Sequence, residues 1–186
     1  MKAQIVYGSH YGSAKAYAQA LAASLRIECL DYRDLPPQTK TDLLLYVGSL
    51  YAGGMVGLAK SLRAYDPQKV KGLFIISVGL ADPQDRKNLE KIKRDIQGQV
   101  PPAWREKMTL FHLRGRIDYK SLNIKHQVMM KVLYHRLKTK APQELKEEDR
   151  ALLKTYGQTL DYMDLASLDP VLKGYRALVD QLEGLS

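Results

Sequence analysis

Two stretches of this chain, Leu43 to Val47 and Gly72 to Val78, are nearly unbroken apolar runs too short to be helices. A strand with one wet face alternates apolar and polar residues. A run apolar at almost every position marks a strand covered on both faces, the situation inside a parallel sheet wrapped by helices. Similar short segments at Gln4–Tyr7, Ile27–Leu30 and Met108–Leu113 predict five strands. Between them apolar residues recur at three and four: Tyr17, Ala18, Leu21, Ala22 and Leu25, then Leu58, Leu62 and Tyr65, then Asn88 to Ile96. Pro36-Pro37, Pro67, Gly98 and Pro101-Pro102 punctuate the pattern, and Gly48 to Gly57 reads as a glycine-rich loop. Strands alternating with helices predict an α/β fold, a doubly wound five-stranded parallel sheet of order 2-1-3-4-5. After Arg114 the chain reads as helical. The expected organisation is one domain over residues 1–186, with a core of about 1–115 and a basic helical extension of about 116–186 after strand 5.

A chain of 186 residues with 45% hydrophobic and 26% charged residues has the composition of a folded globular protein. The apolar run before Gly8 is too short for a secretory signal, and nothing approaches the roughly 20 apolar residues that span a bilayer. Together with the single cysteine, Cys29, read as a small buried hydrophobe, this predicts a cytoplasmic protein. The net charge of +9 is concentrated. Arg114, Arg116, Lys120, Lys125, Lys131, Arg136, Lys138 and Lys140 are opposed in their segment only by Asp118, a local excess of seven. Such a patch attracts polyanions, anionic lipid or a carboxylate-bearing substrate.

The helix expected from Ile124 to Lys138 has an unusually broad apolar arc: Val128, Met129, Met130, Val132, Leu133, Tyr134 and Leu137, against a stripe of Gln127, Lys131, His135 and Lys138. Two explanations stand, packing against the sheet edge, or peripheral contact of residues 120–140 with a membrane surface or a hydrophobic substrate. The basic residues sit on a largely apolar helix with no recognition motif or aromatic ladder, so nucleic acid is not expected as a partner.

In open α/β sheets ligands bind beyond the carboxyl ends of the strands, where the winding reverses. For this order the point lies between strands 1 and 3. Strand 1 is followed by Gly8-Ser9-His10-Tyr11-Gly12-Ser13-Ala14-Lys15, glycines and small hydroxyl residues at the mouth of a helix, which is what a phosphate group needs. A serine-capped helix start would look the same. The glycine spacing excludes both the G-x-G-x-x-G dinucleotide turn and the G-x-x-x-x-G-K-[ST] triphosphate loop. The acidic cluster of a metal-binding phospho-receiver is missing, and the spacings of His112, His126 and His135 suggest no metal site.

Ser9-His10-Tyr11-Gly12-Ser13-Ala14 resembles the [ST]-x-x-G-x-[ST] phosphate loop of flavodoxins, with Ala14 where that family usually has a hydroxyl residue. Ser49-Leu50-Tyr51-Ala52-Gly53-Gly54 resembles the first of the two loops that flank an isoalloxazine ring, with Tyr51 covering a ring face. Val78-Gly79-Leu80-Ala81-Asp82 resembles the second, whose backbone reaches the pyrimidine edge. The resemblance implies a flavodoxin-like fold with one non-covalent FMN, its phosphate taken by Ser9 and Ser13. Phe111 to Tyr119 and His126 to Lys131 resemble the segment after the last strand in a narrower branch, the protoporphyrinogen IX dehydrogenase type. That branch implies an anionic, porphyrinogen-like substrate, with Arg114 and Arg116 as candidate contacts for its carboxylates, and a quinone as electron acceptor.

Charge bears on the choice between an enzyme and its alternatives, an electron-carrier flavodoxin or a general flavin reductase without a dedicated substrate. Carriers of this family are typically acidic, whereas here the excess is positive. Two unit charges about 8 Å apart interact by roughly 2 kcal/mol at an effective dielectric near 20. The sign favours a reduced, anionic flavin and hence oxidation of a substrate. No nucleophile–base pair is visible in the sequence, so the chemistry is expected to be the cofactor's.

Overall fold

The structure, a computed structural model, describes residues 1–51, 54–119, 124–145 and 147–184. Five parallel strands form the sheet: β1 (Ala3–Gly8), β2 (Cys29–Asp31), β3 (Leu43–Tyr51), β5 (Gly72–Gly79) and β6 (Met108–Arg114). A short β4 (Gly54–Met55) folds back antiparallel onto the end of β3. The order is β2-β1-β3-β5-β6, which is the expected doubly wound winding once the β4 return is set aside.

The apolar runs have the predicted cause. Successive strand residues point to opposite faces, and each face is covered by its own helices. Leu44, Tyr46, Leu73 and Ile75 pack with Leu58 and Leu62 of α2 (Leu58–Arg63), Ile92 and Ile96 of α3 (Arg86–Gln99), and Trp104 of the short α4 (Pro102–Arg105). Ile5, Leu45, Val47, Phe74 and Ile76 pack on the other face. Their partners are Tyr17, Ala18 and Leu21 of α1 (Ser13–Leu25), Leu168 of a 3₁₀ turn (Leu165–Leu168), and Val171 of α7 (Asp169–Gly184). Leu43 through Val47 are all fully buried. Fully burying one such side chain contributes about 1.5–3 kcal/mol, so neither face can be left without its helix.

The chain divides into two compact units, Met1–Gly115 with Met163–Ser186, and Arg116–Tyr162. The last helix therefore belongs with the sheet: Gly174 of α7 lies so close to Phe74 and Phe111 that a Cβ there would sit 3.3 Å from each ring. The second unit contains α5 (Ile124–Lys138) and α6 (Glu147–Thr155), and it is not wholly helical as expected. A two-stranded antiparallel ribbon, β7 (Arg116–Asp118) with β8 (Thr159–Asp161), closes it. Asp118 accepts a hydrogen bond from the Thr159 hydroxyl at 3.1 Å across this ribbon. Tyr156 stacks on Tyr134 at 4.3 Å between ring centroids and meets Tyr119 edge-on at 5.4 Å. Lys120 lies outside the described residues. No described helix is long and apolar enough to cross a membrane.

Candidate functional site

The winding reverses between β1 and β3, and there the register sets glycine beside glycine, Gly8 opposite Gly48. The row continues through Ser77 of β5 to His112 of β6. A Cβ on Gly8 would lie 2.1 Å from the Val56 carbonyl oxygen, and one on Gly48 would strike the Met55 side chain. The two glycines are what allow the β3–β4 hairpin to settle over the strand ends.

The first turn runs from Ser9 to Gly12. The Ser9 Oγ accepts the Gly12 N–H at 3.0 Å, which closes the turn and leaves the serine's own O–H as a donor. Gly12 is the N-cap of α1, with φ of 87°. That is left-handed backbone where glycine carries no penalty. A glycine cap brings no side chain to occupy the amides of the first helical turn, and that turn has no acidic residue. A helix start without a side-chain cap, a favourable dipole and no competing carboxylate suit an anion. The alternative of a serine-capped helix is therefore not what forms. Ser13 is the first helical residue and only 5% exposed, its Oγ lying 3.2 Å from where a Cβ on Gly115 would stand. Ala14 is fully buried, His10 is exposed, and Tyr11 is half-buried. The helix is pinned from below. The Tyr17 hydroxyl donates to the Arg114 carbonyl at 2.8 Å and accepts from the Asp164 N–H at 3.0 Å.

In the second loop the strand continues further than the glycines suggest. β3 extends through Ser49 and Leu50 to Tyr51, and the hairpin pairs Leu50 with Met55 and Tyr51 with Gly54. The Tyr46 hydroxyl donates to the Val56 carbonyl, and the Met55 N–H donates to Gln99 Oε1 at 2.9 Å. Ser49 is nearly buried. His10 meets the Tyr51 ring edge-on at 4.6 Å, which brings the first two turns together. Ala52 and Gly53 lie outside the described residues.

The third segment leaves β5 at Gly79. The Val78 side chain is interior, while Leu50 of the hairpin packs where a Cβ on Gly79 would stand. Asp82 closes an exposed turn by accepting the Gln84 N–H at 2.8 Å. The carbonyls of this segment are held from β6. Gly79 O accepts from the Gly115 N–H at 2.7 Å, Leu80 O from Arg114 Nη2 at 3.4 Å, and Ala81 O lies 3.2 Å from His112 Nε2. The structure thus brings the three sequence-predicted segments to one end of the sheet, through backbone more than through the named side chains. Of the candidate carboxylate contacts, Arg114 ends β6 in the first unit and Arg116 begins β7 in the second.

Sequence reasoning missed the supports. Gln99, Tyr17 and the Ser77–His112 pair carry no local motif; the available signal was a lone polar residue, Ser77, inside an apolar strand. Asp31, at the end of β2, is gripped by the Arg33 guanidinium at 2.8 and 2.7 Å. That bond holds its carboxyl below the usual carboxylate range and gives it an internal partner.

The family model for the Flavodoxin domain matches residues 4–144, most of the chain. The chain belongs to the flavodoxin domain family. Among solved structures, a flavodoxin from the domain Archaea is 17% identical, with 61% of this chain and 83% of that one covered and a TM-score of 0.37. A cysteine-to-alanine mutant of flavodoxin from Pseudomonas aeruginosa is 20% identical, with 71% and 93% covered and a TM-score of 0.36. No curated protein matched the sequence. As a flavodoxin domain, the chain falls in a class of flavin-dependent redox proteins, and the cradle at Gly12 fits the phosphate of such a group.

Proposed function

We propose that this flavodoxin-like protein holds FMN and oxidises an anionic, porphyrinogen-like substrate, passing the electrons to a quinone, in the manner of protoporphyrinogen IX dehydrogenases. The observation that carries the flavin reading is the glycine-capped mouth of α1, where Ser9 closes the turn and no side chain caps the first-turn amides. Bound FMN would supply the electron and hydride chemistry; the protein's part is position and charge. The amides at the start of α1 and the Ser9 hydroxyl would hold the phosphate. Leu50 and Tyr51 would cover the ring from the hairpin, and the 79–82 backbone would meet its polar edge. Arg114, tethered to the Leu80 carbonyl, brings a permanent positive charge to that backbone. This charge favours an anionic reduced flavin and pairs with substrate carboxylates. Arg116 is proposed as a second carboxylate contact.

The exposure of Ile124 (79%), Val128 (56%) and Val132 (62%), one stripe at helical spacing on α5, together with Lys131, Arg136 and Lys138, supports peripheral contact with anionic lipid. The protein would then work in the cytoplasm, at the inner face of the membrane where quinone is found.

The test is direct. Purified protein reconstituted with FMN should show flavin absorption, and with protoporphyrinogen IX and a menaquinone analogue should produce porphyrin fluorescence above the autoxidation blank. Flavin binding without porphyrin formation would leave a carrier or general flavin reductase. A protein that ignores FMN would end the flavin reading.

A further inference from the structure

His112 is a partly buried ionisable side chain fixed by hydrogen bonds on both ring nitrogens, and nothing in the proposed flavin cradle requires it. Its Nε2 lies 3.2 Å from the Ala81 carbonyl oxygen, in the loop after β5. Its Nδ1 lies 3.0 Å from the Oγ of Ser77, a fully buried residue whose hydroxyl is also 3.0 Å from the Phe111 carbonyl.

A carbonyl can only accept, so the hydrogen of the neutral ring belongs on Nε2. Nδ1 is then an acceptor, and the Ser77 hydroxyl must donate to it. When Nδ1 gains a proton, the same contact runs backwards: Nδ1–H donates to Ser77 Oγ, and the serine hydrogen turns to the Phe111 carbonyl. With the ring neutral the serine's one hydrogen is spent on Nδ1; with the ring protonated it passes to the Phe111 carbonyl, so the charged state gains that bond with no heavy atom displaced. The arrangement accepts a charge without rearrangement, which a merely structural histidine does not need.

His112 lines a groove of about 460 Å³ between α3 and β6, walled by Leu89, Ile92 and Leu110. The charged groups lining the groove with it are Glu90 and Lys93 of α3 and Arg105 at the end of α4, with Arg114 on its own strand. Burial, and then the Arg114 charge, lower the imidazole's proton affinity below the ordinary histidine range, against the Ala81 and Ser77 hydrogen bonds, which raise it.

We infer that His112 is a proton acceptor coupled to the charge at the Leu80–Asp82 loop, its Nδ1 gaining a proton drawn from solvent when negative charge builds beside that loop and returning it when the charge is withdrawn. The inference rests on the flavin reading, in which reduction by an external two-electron donor supplies that charge. Only the Nδ1–H bond is made or broken at the protein.

Imidazole ¹⁵N–¹H correlation spectra across pH test it, on apoprotein, on FMN-loaded oxidised protein and on protein reduced with dithionite. Expected are the Nε2–H tautomer throughout, an apoprotein midpoint below 6.5, and about a tenfold gain in proton affinity, one pH unit, on reduction. His112→Gln, which keeps a donor toward Ala81 and cannot titrate, should retain FMN and lose the corresponding bend in the pH dependence of the flavin midpoint potential. An Nδ1–H tautomer, or a His112 midpoint equal in oxidised and reduced protein, overturns the inference alone. A protein that takes up no FMN overturns it together with the flavin reading.

Discussion

The side-chain oxygen of Gln99 accepts the backbone N–H of Met55 at 2.9 Å, across a sequence separation of 44 residues. The bond ties the end of α3 to the hairpin that carries Tyr51, and the Gln99 Nε2 is itself steadied by the Asp95 carbonyl at 2.8 Å. Gln99→Leu leaves the Met55 amide without its acceptor, at a cost of about 1–3 kcal/mol. Urea denaturation should show that loss. FMN titration should show weaker binding, because the hairpin is no longer held; unchanged affinity would detach Gln99 from the site.

Gly12→Val tests the cradle. A β-branched residue at φ of 87° costs about 1–2 kcal/mol of backbone strain, and the turn cannot keep its shape. FMN affinity should fall roughly tenfold or more, since each 1.4 kcal/mol is a factor of ten. Ser9→Ala should produce a smaller loss, about 0.5–1.5 kcal/mol for one hydrogen bond. Fluorescence titration of FMN measures both, and equal binding by all three proteins would place the phosphate elsewhere.

Acid should weaken the fold through His112. Its folded pKa is depressed below the ordinary 6.5, so just below that pH the unfolded chain binds the proton more readily. Stability contributed by the neutral ring is full above about 6.5 and is lost as pH falls from there toward the folded value. The urea midpoint should therefore be lower at pH 5.5 than at 7.5, and His112→Gln should reduce the difference. An identical difference in the variant would assign the acid sensitivity to other groups.

Tyr17→Phe removes a hydroxyl that serves two backbone groups in the half-buried seam between α1 and β6. A loss of about 1–3 kcal/mol is expected, read as a fall in melting temperature. Because Tyr17 lies about one turn into α1 from the proposed phosphate turn, FMN should restore part of the lost stability by mass action.

Replacing Ile124, Val128 and Val132 together by serine should abolish sedimentation with phosphatidylglycerol vesicles and leave the FMN spectrum intact. Binding by the unaltered protein should also weaken as salt is raised. Equal sedimentation of the two proteins would rule out the lipid-facing role of α5.

The sheet was legible because its physics is local. Leu43 to Val47 and Gly72 to Val78 had to be covered on both sides, and the breaks between them left one plausible winding. The first turn was legible because Gly12 and Ser9 act within a few residues of each other. Where the outcome depended on distant partners, the reading fell short. Gly53 and Gly54 look like loop, yet Tyr51 pairs with Gly54 because Gly8 and Gly48 leave room for the return. The β7–β8 ribbon joins two three-residue strands far apart in sequence, each too short for a period to show. The Ser77–His112 contact exists only through the β5–β6 register, which no single segment encodes.

The Tyr17 hydroxyl touches the backbone on either side of an excursion: Arg114 just before the chain departs from the sheet unit and Asp164 just after it comes back. Exit and re-entry share one clasp. Losing that one hydroxyl would therefore unfasten both ends of the excursion at once.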